Sequence, residues 1–188
     1  MTREEYDRLV ATGELQLNGF WANATHFSLP IACLILVVAF PAVHLYLFLQ
    51  GGPSSFNIVE LLVALVVTML GFLFFRLQKS RLKFKVIQTT LTRAQIVAII
   101  ERVGVELEWK GAFITNDIYK AKTNPGFFSG SWGEEITILL PGNRLFVNSI
   151  CDPDQKTSMV SAGRNRENED TLIESIKRAE QLVAQGIH

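Results

Sequence analysis

Between residues 27 and 49 the only polar positions are Ser28, His44 and Tyr46. Between 58 and 75 the apolar run is broken only by Glu60, Thr68 and Gly71. A helix rises about 1.5 Å per residue, so these runs reach roughly 35 and 27 Å. The hydrocarbon core of a bilayer is ~30 Å thick, and neither run has the polar face of a soluble helix. Both are therefore expected to be membrane-spanning helices. Residues 50–57 between them hold Gly51, Gly52, Pro53, Ser54 and Ser55 and no charge, the composition of a tight polar turn between antiparallel helices.

The first 26 residues read as an interfacial amphipathic segment. Thr2 and Glu5 have the spacing of a capping box, Tyr6, Leu9 and Val10 share one helical face, and Gly13 ends the pattern. Phe20 and Trp21 fall just before the first apolar run, where an aromatic belt anchors a span. This polar, acidic start lacks the short basic region of a cleaved signal peptide. Arg76, Lys79, Arg81, Lys83 and Lys85 follow the second run with no acid among them, whereas the turn has no lysine or arginine. Basic flanks stay cytoplasmic, so both termini are expected inside and the turn outside. The expected division is 1–26 interfacial, 27–75 a transmembrane hairpin and 76–188 a cytoplasmic domain. The localisation that follows is integral, in a bacterial inner membrane. On that topology the sequon Asn23-Ala24-Thr25 faces the cytoplasm and carries no glycan.

The last hundred residues alternate between two periods. Phe84 and Val86 suggest a short strand. Thr92 and Gln95 form a capping box before Ile96, Ile99, Ile100 and Val103 at helical spacing, with Gly104 as the expected stop. Val105, Leu107 and Trp109 then alternate with charged residues, predicting a half-buried strand closed by a turn at Lys110-Gly111. A strand is expected over 112–122, perturbed at Asn116-Asp117. Residues 134–140 and 144–150 flank Pro141-Gly142-Asn143 as a hairpin. Leu172, Ile173, Ile176, Ala179, Leu182 and Val183 mark a final amphipathic helix. The order strand, helix, four strands, helix predicts an α+β fold, with two helices on one face of an antiparallel sheet. Each apolar stripe finds a partner inside 83–188, so that stretch is expected to fold alone.

Composition narrows the function classes. The chain is 188 residues long, 48% hydrophobic and 19% charged, with 18 basic and 18 acidic residues. The formal net charge of zero excludes bulk affinity for nucleic acid. Two cysteines, Cys33 and Cys151, exclude a disulfide scaffold and a four-thiolate zinc site. Neither a phosphate-binding glycine loop nor a zinc-hydrolase motif occurs, so no cofactor and no metal is expected.

Four features carry candidate chemistry. His44 and Glu60 both lie toward the outer end of the hairpin, within about one turn of each other. They form either an ion-handling pair or a simple pairing near wet head groups. Glu60, Ala64, Thr68 and Gly71 make one small-residue stripe suited to close helix contact. Gly163, Arg164 and Arg166 precede the last helix and could hold a phosphate or carboxylate. Glu167, Glu169 and Asp170 crowd the same turn and argue instead for capping by Asn165 or Asn168 and local ion pairs. Phe127, Phe128 and Trp132 sit among Gly and Ser on a loop. They either meet a partner or bilayer or cover one end of the sheet. Cys151 has no base in its domain, and Asp152-Pro153-Asp154 reads as a turn.

The segments SWGEEITILL (131–140) and NRLFVNSICDPD (143–154), with the two preceding apolar runs, resemble small uncharacterised bacterial membrane proteins with a helical hairpin and a cytoplasmic α+β domain. That resemblance is architectural and brings no activity and no residue roles. The expected function is a membrane-anchored, non-enzymatic interaction or regulatory module, including an accessory subunit of a membrane complex. Its expected partners are the bilayer and either a further copy or another membrane subunit. A lipid or small apolar ligand held between sheet and helices is the second expectation, and an enzyme the third.

Overall fold

The computed structural model describes residues 2–51, 57–123, 133–154 and 163–185. The elements in chain order are α1 (Arg3–Thr12), α2 (Phe20–His26), α3 (Ser28–Leu49), α4 (Ile58–Arg81), β1 (Lys85–Gln88), α5 (Arg93–Glu106), β2 (Lys110–Thr115), β3 (Ile118–Lys122), β4 (Glu134–Leu139), β5 (Arg144–Cys151) and α6 (Arg164–Ala184). The fold is α+β. Two long apolar helices precede a five-stranded antiparallel sheet in the order β1-β5-β4-β3-β2.

Both α3 and α4 are long and apolar enough to cross a membrane, and their apolar side chains are largely exposed. They pack against each other at Gly71 of the small-residue stripe, whereas Thr68, expected on the same contact, is exposed. A Cβ placed on Gly71 would come within 2.9 Å of the Cβ of Cys33, so only glycine permits this approach. The Thr68 hydroxyl donates back to the Ala64 carbonyl at 2.8 Å and needs no partner on another helix. Pro41 lies inside α3. Asn57 and Glu60 close a capping box that starts α4, and α4 runs through the basic stretch to Arg81, six residues past the apolar run.

The sheet is covered on both faces. Ile96, Ile99, Ile100 and Val103 of α5 and Leu172, Ile173 and Ile176 of α6 pack on one face against Ile136, Ile138, Leu145 and Val147. The opposite face, with Ile118, Leu139, Phe146 and Ile150, is covered by Tyr6 and Leu9 of α1 together with Leu15 and Phe84. The apolar side of α1, expected at an interface, is thus buried on the sheet. Its caps match expectation: the Thr2–Glu5 box opens it, and Gly13, at φ 64°, closes it. Residues 83–188 are consequently not a complete unit, because one face of their sheet is closed by residues that precede both long helices.

The strand expected over Val105, Leu107 and Trp109 does not form. α5 continues through Gly104 to Glu106, and the chain reverses with Glu108 at φ 56° and the Trp109 N–H donating to the Gly104 carbonyl at 2.7 Å. The alternation there reflects a helix end: Val105 is exposed while Trp109 turns back into the core. Gly104 does not cap the helix. It is buried against the Trp109 ring and the Tyr119 hydroxyl. Lys110-Gly111 begins β2 in place of a turn, and the reversal falls at Asn116-Asp117, joining β2 to β3. The hairpin around Pro141-Gly142-Asn143 forms as expected, with Glu134 paired to Cys151 and Leu139 to Phe146.

Candidate functional site

A concavity with charged walls lies where α4 meets the sheet. It begins with how α4 ends. The last four carbonyls of a helix lack intrahelical partners. Here each finds one: Gln78 accepts from the His26 ring at 2.9 Å, Lys79 and Ser80 accept from the Leu82 and Lys83 amides, and Arg81 accepts from Asn148 Nδ2 at 2.8 Å. Asn148 Nδ2 also donates to the Lys83 carbonyl at 3.0 Å. Residues 13–15 pair alongside, with Leu15 N–H donating to Leu82 and Phe84 N–H to Gly13. The helix therefore enters the sheet with its last four carbonyls bonded, while the buried Asn148 Oδ1 is left without a partner among the described residues.

Beside this joint is a cleft of about 520 Å³, walled by Arg81 and Lys83 at the end of α4, Lys85 on β1, Ser149 on β5, and Gly163 and Arg166 at the start of α6. Glu169 lies at its base. Gly163, at φ 92°, is the N-cap of α6 and supplies no side-chain cap, so the first amide groups of α6 have no capping partner among the described residues. Asn165 and Asn168, expected as caps, are instead buried inside the helix. Asn168 Oδ1 accepts from the Trp109 indole at 2.9 Å and its amide donates to Ser149 Oγ at 3.1 Å, while Ser149 Oγ donates to Asn165 Oδ1 at 3.2 Å. The Asn165 amide reaches Cys151 Sγ at 3.8 Å, which gives that buried thiol a structural neighbour.

Two of the acids crowding this turn in sequence, Glu169 and Asp170, converge on one ammonium, that of Lys85. Glu169 accepts from the Ser149 amide at 2.9 Å and pairs with Lys85 at 3.0 Å. Burial pushes its carboxyl pKa up, against the pull of those two donors. Lys85 also meets Asp170 at 2.7 Å. Burial alone would lower the Lys85 pKa, but the hydrogen bonds to Asp170 and Glu169 outweigh it and the net direction is upward. Arg166 pairs with Asp170 at 3.2 Å and is otherwise exposed. Arg81 and Lys83 form no ion pair among the described residues. Of the three expected anion-binding residues, Gly163 and Arg166 line the cleft and Arg164 does not.

The other candidates fall elsewhere. His44 Nε2 and Glu60 Oε2 are 3.3 Å apart at the far end of the hairpin, and Glu60 also accepts from the Asn57 amide as the return half of the α4 cap. Phe127, Phe128 and Trp132 lie outside the described residues. Glu135, Asp152 and Asp154 converge within 4.8 Å, a grouping invisible in sequence because β4 and β5 bring it together. The Lys122 ammonium sits among them, 2.9 Å from Asp152 and 2.6 Å from Asp154. The Asp154 amide donates to Asp152 Oδ1, as a turn at Asp152-Pro153-Asp154 requires. Glu134, fully buried, is held by Thr123. No family model matches the chain, and no curated protein matches it.

Proposed function

We propose that this is a two-pass integral membrane protein whose α+β domain sits on the cytoplasmic face as a non-enzymatic interaction or regulatory module. The observation that carries this reading is the joint at the end of α4. Four satisfied carbonyls, the Asn148 clamp and the α1 layer lock the sheet to the base of the hairpin. A change at one end is then transmitted as a rigid-body movement and is not lost in a tether. The exposed Phe20 and Trp21 on α2 stand beside the base of the hairpin, where aromatic rings favour the head-group layer. The basic run from Arg76 to Lys85 supports a cytoplasmic position for that base. The edge strand β2, exposed along most of its length, offers backbone groups to a partner. A ligand held between the sheet and α5 and α6 has no support, since Ile100, Ile136, Ile138, Leu145, Leu172 and Ile176 fill that layer without exposed surface.

The test is the full chain expressed in bacterial cells. It should stay in the membrane pellet through alkaline carbonate. A cysteine at Ser54 should react with a membrane-impermeant maleimide from outside, and one at Thr90 should not, in a background with Cys33 and Cys151 replaced by Ala. Release by carbonate, or the reverse labelling, would overturn the reading.

A further inference from the structure

We propose that the cleft at the α4–β1–α6 junction binds a phosphate group, carried by an anionic lipid head group or by a free phosphate. This rests on the membrane reading for the lipid source only. The charges set the ligand's sign. Lys85 and Arg166 are balanced by Glu169 and Asp170, which leaves the guanidinium of Arg81 and the ammonium of Lys83 facing the same space without an ion pair among the described residues. The first amides of α6, which have no side-chain cap among the described residues, add donors where Gly163 and Asn165 line the cleft, and the positive end of the 21-residue helix lies there. Two exposed cations and a row of N–H groups match an oxyanion with several acceptor oxygens better than a single carboxylate.

Position argues for a lipid source. Arg81 is six residues past Phe75, the last apolar residue of the run, or about 9 Å along the helix axis. Head groups occupy roughly 5–8 Å beyond each side of the hydrocarbon core. The cleft therefore opens at or just beneath the depth of the lipid phosphates. Arg76 and Lys79 lie on the same helix but do not line the cleft. They experience the surface potential without the built pocket, which makes them the natural control.

The experiment uses the full chain in neutral maltoside micelles, titrated calorimetrically with dihexanoyl phosphatidic acid, dihexanoyl phosphatidylcholine and inorganic phosphate. Saturable binding of phosphatidic acid is expected, with phosphatidylcholine at least tenfold weaker. R81Q/K83Q should weaken phosphatidic acid at least tenfold, and R76Q/K79Q less than twofold. R166E, an exposed change, should also weaken binding and guards against misfolding of the double variant. Equal binding of inorganic phosphate would support the site and assign it to the free anion. No saturable binding of either anion, or equal losses in R81Q/K83Q and R76Q/K79Q, would overturn the site. Carbonate extraction is read separately: an integral chain without phosphate binding sinks the cleft alone, and an extracted chain sinks the membrane reading while the inorganic phosphate arm still reports on the cleft.

Discussion

The His26 ring donates through Nε2–H to the carbonyl of Gln78, 52 residues further along the chain, at 2.9 Å. A carbonyl can only accept, so the bond fixes the tautomer with the proton on Nε2. Burial holds the His26 pKa below its usual 6.5, although the Gln78 bond pulls the other way. The folded state thus binds a proton less readily than the unfolded state. Stability should be flat above about pH 7 and fall as pH drops through 6.5 toward the depressed folded value. Glu169, raised by burial, acts in the opposite sense, so the comparison is between wild type and His26→Gln, which donates without titrating. Detergent melting curves from pH 8 to 5 should show a shallower acid loss in the variant, and an identical loss would place the titrating group elsewhere.

Asn148 has no exposed surface, and its amide serves both Arg81 and Lys83. Asn148→Leu keeps the volume but leaves two part-buried carbonyls without donors. Leaving a buried polar group unmet costs about 1–3 kcal/mol, so urea titration should show a loss in that range or above it. Replacement of Ser80, whose hydroxyl only returns to Leu77, should cost well under 1 kcal/mol on the same scale.

Gly71→Leu should destabilise the hairpin by more than Leu62→Ala or Val66→Ala. The last two side chains are half exposed on the helix surface, whereas any Cβ at Gly71 meets Cys33. Overpacking typically costs about 1–3 kcal/mol. Equal melting temperatures for the three variants in one detergent would remove the close approach from the account.

Leu9→Ala should cost about 3 kcal/mol, the usual range for deleting a buried leucine side chain. A fragment running from Lys83 to the C-terminus should aggregate, because Phe84, Ile118, Leu139, Phe146 and Ile150 lose their cover. Co-expression with residues 1–19 should increase its soluble fraction, measured by size-exclusion chromatography. A monomeric, cooperatively melting fragment without that addition would show α1 to be dispensable.

The long apolar helices, the Thr2 and Thr92 caps and the 134–150 hairpin were legible because each rests on local chemistry. The fate of α1 was not. The same Tyr6–Leu9 face suits a bilayer surface or a sheet, and only the sheet's uncovered side decides between them. Val105, Leu107 and Trp109 misled because a helix end followed by a returning tryptophan produces the same alternation as a strand. The polar layer under α6 left a readable trace. Asn165, Asn168 and Glu169 share the stripe that Leu172, Ile173 and Ile176 continue, so the buried face starts polar and turns apolar. The grouping of Arg81, Lys83 and Arg166 left none, since it depends on where two distant segments dock.

The α1 layer has a consequence for biosynthesis. Tyr6 and Phe146 belong to one core cluster yet are made roughly 140 residues apart. At ~5–20 residues per second, the first helix waits roughly 7–28 s for its sheet. On the two-pass reading, both helices of the hairpin must be inserted in that interval, and in the direction that returns the chain to its starting side. A molecule with one helix left out of the bilayer would carry α1 and the sheet on opposite sides, with neither able to bury its apolar face. On that reading, a mis-threaded chain would leave core surface exposed, so completion of the domain would report correct insertion.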